Sequence, residues 1–228
     1  MTATELLSDI YTVYRGKIAS RTPAWGSDKA NVAISIANRK IQEWATDPRN
    51  KWNSLFEITA VGTTISTSTQ TYNLGATFFA PSDFAKAVKT DDSYVEYPIT
   101  KAQQRDVTGG QSLYVHGSNP KKITFSQTID AGIDGGTLYV AGYYIPSSLT
   151  LSTSVVPVDD PIWLVYSVAA ELARNDPAKE DQYPSLAGMA NDLYTKMSNA
   201  NNDTGFLQPN NVVNGMPTIG NDTDIWYI

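Results

Sequence analysis

The side chains able to do chemistry are few, and their spacing explains most of them as structure. His116 is the only histidine, and the chain has no cysteine. A Ser-His-Asp relay would have to use His116 as its base. No G-x-S-x-G elbow accompanies it, and "LYVHGSN" puts it before a glycine turn, as a surface or strand-end histidine. Asp159-Asp160 could be offered as a carboxylate pair, but Pro161 follows directly, which is the pattern of a helix cap. Asp91-Asp92 reads as a hairpin turn. A glycosidase needs two carboxylates facing each other at a set separation, and no spacing here proposes them. Only oxygen ligands are left for a metal, and no D-x-D-x-D-G loop occurs. "DAGIDGG" lacks the Lys-Ser/Thr of a phosphate loop and leads into a strand, so it too reads as a turn. The expectation is a protein without catalytic, cofactor-binding or metal-binding residues, needing no cofactor and not an enzyme.

Composition narrows the partners. With 228 residues and 41% apolar content, the chain can bury a real core in one large or two small domains. A formal net charge of −6 opposes DNA binding, which needs Lys and Arg on phosphates. No apolar run is long enough for a bilayer. The start, "MTATELLSDIYTVYRGK", lacks the basic and apolar blocks of a signal peptide. The Asn202 and Asn221 sequons read as chance matches without one.

The periodicity predicts helices first. Leu6, Leu7, Ile10, Val13, Tyr14 and Ile18 recur at helical spacing, with Thr4 as the cap. After "SRTPAWG", Ser27 and Asp28 open a second helix with Ala30, Ala33, Ile34, Ala37, Ile41 and Trp44 on one face. Asp47-Pro48 stops it. From Trp52 the chain turns rich in Thr, Ile, Val and Tyr. Strands are expected in "SLFEITAVGTTISTSTQTYNL" and at 84–90, 94–100, 112–117, 122–127 and 136–146. Turns are expected at 80–83, 108–110, 118–120 and 134–136. Helices return at "VDDPIWLVYSVAAELARND", apolar nearly all round, and from about Tyr183 to Asn199.

The fold class expected is therefore α+β. N-terminal (1–51) and C-terminal (155–204) helix pairs form one bundle, and an antiparallel β-sandwich or barrel (52–154) is inserted between them. A tail, 205–228, has no period of its own. It ends on Ile225, Trp226, Tyr227 and Ile228, with Phe206 and Leu207 near its root. It reads as an extended docking arm.

Several phrases in this frame resemble the head-to-tail adaptors of tailed bacteriophages, also called gatekeeper or tail tubular A proteins. Tyr72, Leu74, Pro81, Asp83 and Phe84 match a Y-x-L-P-x-D-F phrase, with "GATFFA" inserted. Tyr114, Ile123 and Phe125 match a second phrase, although Gln127 and Thr128 stand where a proline is common. Tyr144, Pro146 and Leu149 match a third. The resemblance runs from about Leu6 to Asn199.

It implies a structural virion protein of the neck, made in the host cytoplasm. Such proteins form a dodecameric homo-oligomer ring below the portal. They continue the DNA channel without specific binding, and they hold the tail, nozzle or next neck protein. No membrane partner is implied. The apolar α-helical run at Ile162, Trp163, Val165, Tyr166 and Ala169 would be the subunit interface. Phe206, Leu207, Ile225, Trp226, Tyr227 and Ile228 would dock on the portal. The rival expectations are another virion part, such as a tail-tube or decoration protein, and a carbohydrate-binding or hydrolytic β module.

Overall fold

The computed structural model describes residues 1–15, 22–89, 91–100, 111–118 and 120–203. They divide into two units. One comprises Met1–Ser54 and the chain from Pro146 to the last helix, and the other spans Leu55–Ile145.

The first unit is helical. Helix α1 (Ala3–Arg15) buries Leu6, Leu7, Ile10, Tyr11 and Tyr14. Its cap is Thr2, where Thr4 was expected. The Glu5 amide donates to Thr2 Oγ1 at 3.3 Å, and the Thr2 amide donates to Glu5 Oε2 at 2.7 Å. This reciprocal pair satisfies two orphan donors at once. Thr4 instead donates its hydroxyl to the Ser152 carbonyl, 3.0 Å away. Helix α2 (Asp28–Ala45) is capped by Ser27 and buries a stripe of small residues, Ala30, Ala33 and Ala37, before Ile41 and Trp44. Helix α3 (Pro161–Arg174) packs against α1, α2 and helix α4 (Tyr183–Asp203). That central position explains its run of apolar side chains. Asp160 Oδ1 accepts the Ile162 amide at 2.9 Å, and Pro161 occupies the first turn, where a missing N–H costs nothing. Arg39 reaches Glu171 at 2.5 Å and ties α2 to α3 at their rim.

The second unit is a seven-stranded sheet with the order β1-β7-β3-β4-β5-β6-β2. The strands are β1 (Phe56–Thr64), β2 (Thr71–Asn73), β3 (Phe78–Val88), β4 (Tyr94–Thr100), β5 (Leu113–His116), β6 (Lys122–Phe125) and β7 (Thr137–Tyr144). The edge strands β1 and β2 approach each other, so the sheet curls toward a barrel. Its inside is filled by Tyr72, Tyr97, Leu113, Ile123, Phe125, Leu138 and Val140. Tyr97 and Tyr72 both set their rings edge-on to Phe125.

Three expectations change here. The sheet is mixed, because β4 and β5 pair in parallel through Ile99↔Leu113 and Thr100↔Tyr114. The turn expected at 80–83 is the middle of β3, where the register against β7 shifts between Pro81 and Ala85. Such a shift lets a strand carry a proline without losing the ladder on both sides. The long Thr-rich stretch forms two strands joined through a Ser66↔Thr69 bridge. The turn expected at 108–110 lies outside the described residues.

Candidate functional site

Several of the groups that could have served catalysis have a structural task. His116 Nε2 lies 2.9 Å from Thr124 Oγ1, and its ring stacks on Tyr114 with centroids 5.4 Å apart. Asp91 accepts the amide of Ser93 at 3.0 Å, and Asp92 sits at φ 64 in the same turn. Asp130 accepts the Gly132 amide at 2.8 Å and opens a short 3-10 turn over Ala131–Ile133. Among the described residues, no three His, Asp or Glu side chains are grouped to hold a metal ion.

The residues expected at a subunit interface separate by exposure. Trp163, Val165 and Ala169 are buried within the subunit, Tyr166 is half-buried, and Ile162 is 44% exposed. On the helical unit, Val32, Leu151, Val155 and Met189 also leave apolar surface open to solvent. The β unit exposes Ile58 and Tyr94. The Lys86 ammonium sits 3.5 Å above the Tyr94 ring, a cation–π pair. Phe206, Leu207, Ile225, Trp226, Tyr227 and Ile228, the expected docking residues, lie outside the described residues.

The most elaborate polar arrangement lies where the chain leaves α2 and runs along α4. Asp47 is buried, and its carboxylate accepts the Arg49 amide at 2.9 Å and the Arg49 Nε and Nη2 groups at 3.0 Å. It also accepts the Tyr194 hydroxyl. Burial alone would raise the Asp47 pKa. The hydrogen bonds from Arg49 and Tyr194 outweigh it and hold the carboxyl far below the usual carboxylate range. Asn50, also buried, donates to Tyr194 Oη at 3.3 Å and accepts the Ser198 hydroxyl at 2.6 Å. One helical turn further, Asn201 Oδ1 accepts the Asn53 amide and Asn201 Nδ2 donates to the Lys51 carbonyl, both at 3.0 Å. Tyr194, Ser198 and Asn201 stand at helical spacing on one face of α4. They hold the segment Thr46–Ser54 side by side with that helix.

An aromatic cluster backs this seam. Trp52 Nε1 donates to the Trp44 carbonyl at 2.7 Å, and the Trp44 and Trp52 rings lie 5.3 Å apart. Trp52 and Trp163 both contact the Tyr194 ring. Beside the cluster is an open groove of about 550 Å³, walled by Trp163, Tyr194, Ala190 and Arg49. Sequence reading missed the seam. It took Asp47-Pro48 as a helix stop and the stretch around Tyr194 as part of the last helix. The pattern Tyr194, Ser198, Asn201 was the available signal, but nothing in it names the partner segment.

The model of the family described as SU10 adaptor protein matches residues 1–212, nearly the whole chain. No curated protein sequence matches it. The chain belongs to the SU10 adaptor protein family, and is by that membership a bacteriophage adaptor.

Proposed function

We propose that this adaptor is a ring-forming structural protein of the virion neck. Subunits assemble below the portal, continue the DNA channel and offer the tail a platform. The observation that carries the reading is the family match over residues 1–212.

Two physical features support it. Closed rings need two different contact faces on each subunit. Exposed apolar side chains are spread over separate elements of the helical unit: Val32 on α2, Ile162 on α3 and Met189 on α4. The net charge of −6 also suits a channel through which DNA slides without being held. In this reading the tail from Phe206 to Ile228 docks on the portal, with Trp226 and Tyr227 as its aromatic anchors. Free subunits are mostly monomeric, since the arm's partner is missing.

The test mixes the protein with its phage's portal ring and images the particles, using the full chain and a version ending at Gly205. Rings under the portal from the full chain alone sustain both the adaptor role and the arm's task. Rings from both versions keep the role and remove the task. No binding by either version defeats the reading.

A further inference from the structure

The two edges of the sheet in the β unit are unlike. Strand β2 is three residues long, and a short edge templates little. Strand β1 is nine residues long and pairs on one side only, with β7. Among the described residues, no backbone group pairs with its other side. Folded chains blunt such an edge with lysine, proline or a bulge. Here the register shift against β7 comes only after Ala60, and Gly62 lies within it at φ 77. The stretch Phe56–Ala60, "FEITA", keeps a regular register and carries neither lysine nor proline. Glu57, Ile58, Thr59 and Ala60 are all exposed. Successive residues of a strand point to opposite faces, so both faces of this stretch are bare. Ile58, 52% exposed, puts a large apolar side chain on one of them.

What fits an open edge is another strand, because its N–H and C=O groups need backbone partners at the same repeat. The sequence of the edge points to one in particular. Laid antiparallel to itself about Ile58, the stretch is self-complementary. Phe56 meets Ala60 of the second copy, a large side chain against a small one. Glu57 meets Thr59, an acid against a hydroxyl. Ile58 meets Ile58. Centred on Glu57 instead, the same pairing would set two acids directly opposite, which is destabilising.

We propose that the free edge of β1 pairs antiparallel with the same edge of a second copy of this chain, over Phe56–Ala60 and about a two-fold axis at Ile58. So short a contact involves far fewer residues than the roughly 20–30 a side of a stable interface. The pair is therefore weak. Dilute subunits stay monomeric, and the pair fills when they are concentrated. This contact does not rest on the adaptor reading, and its two-fold symmetry sets it apart from the head-to-tail contact of a ring.

Cross-linking tests the pairing and its register, because the chain has no cysteine of its own. Full-length Ile58→Cys and Thr59→Cys proteins are oxidised at high concentration. Residues directly opposite in an antiparallel pair hold their Cβ atoms about 4.5–5.5 Å apart, close to disulfide reach, whereas diagonal neighbours stand about 7–8 Å apart. About this axis Ile58 is opposite its copy and Thr59 is diagonal to its copy. Covalent dimer should form about tenfold faster from Ile58→Cys, since a bridge over the longer span needs backbone movement. Equal rates mean random collision and overturn the proposal, as does the absence of dimer from Ile58→Cys. Hydrogen exchange of the unaltered chain, read by mass spectrometry, decides the matter without a cysteine. Exchange across Phe56–Ala60 should slow by about twofold or more once half the chains are paired, by mass action. Ile58→Lys, which sets like charges opposite at the axis, should remove that dependence on concentration. Exchange that is the same at every concentration overturns the proposal. If it is uniformly slow, a segment of the same chain covers the edge, and if it is uniformly fast, nothing does.

Discussion

Tyr194 gives its hydroxyl hydrogen to the Asp47 carboxylate, and each group moves the other's ionisation. For Tyr194, burial comes first and the bond to Asp47 second, and together they push its pKa up to about 12. For Asp47, the bonds from Arg49 and Tyr194 overcome the opposing effect of burial and depress it. One contact therefore gives the helical unit a pH limit on each side.

The acid limb follows from the sign of the Asp47 shift. A carboxylate with a depressed folded pKa contributes stability above its unfolded value of roughly 3.9, and that contribution fades as the pH falls further. Urea melts followed by tryptophan fluorescence should show this loss below about pH 4. Asp47→Asn should flatten that limb and cost about 1–3 kcal/mol at neutral pH. An unchanged acid limb in the variant would refute the assignment. On the alkaline side, the raised tyrosine contributes stability that is complete below its unfolded pKa of about 10 and disappears as the pH climbs through 12. Tyr14 is also pushed up to about 12, by burial and by its bond to Asp176. Tyr194→Phe should accordingly remove only part of the alkaline loss.

The cap of α1 separates two nearby threonines. Thr2 and Glu5 exchange reciprocal bonds at the helix start, and the Thr2 carbonyl accepts the Leu6 amide at 2.9 Å. Thr2→Ala should cost about 1 kcal/mol of stability. Thr4→Ala loses one exposed bond to the Ser152 carbonyl and should cost less. Equal losses in thermal melts would mean that the capping pair adds nothing.

What the sequence made legible follows the range of the forces involved. Helix periods are local, and the stripes of α1 and α2 appear as the buried faces Leu6–Ile10–Tyr14 and Ala33–Ala37–Trp44. The Asp160-Pro161 start is local as well. The strand around Tyr72 was legible, but the passage of β3 through Pro81 was not, because the register shift depends on β7 opposite. The parallel β4–β5 pairing depends on which strands meet, which no local pattern records. Nothing local in the sequence marks Asn50 or Asn201, and only the packing of distant segments makes them a buried seam.

Two glycines should respond to alanine in opposite directions. A Cβ at Gly142 on β7 would stand 2.5 Å from a Phe78 ring carbon and 2.7 Å from the Ala80 carbonyl oxygen. The carbonyl belongs to the neighbouring strand and cannot step aside cheaply. Gly142→Ala should destabilise the β unit by about 1–3 kcal/mol. A Cβ at Gly188 on α4 meets nothing within 4 Å. There Gly188→Ala removes backbone freedom from the unfolded chain and should stabilise the helical unit by roughly 0.5–1 kcal/mol. Calorimetry on both variants checks the pair, and a loss at Gly188 would contradict the open helix surface.

Ile162 and Val165 distinguish assembly from folding within one helix. Both belong to the apolar run of α3, yet Ile162 is 44% exposed and Val165 only 2%. A charge at Val165 would be buried without a partner, which the fold cannot accommodate at ordinary cost. Val165→Asp should abolish folding. A charge at Ile162 stays in water, so Ile162→Asp should leave the melting behaviour of the subunit within about 0.5 kcal/mol of wild type. If α3 starts at a subunit contact in the ring, that same charge would be desolvated on assembly and oppose it. Ring formation on the portal, imaged with the Ile162→Asp protein, should then be lost while the subunit remains folded by circular dichroism. Normal rings from that variant would move the subunit contact away from the α3 start, to the surface around Val32 or Met189.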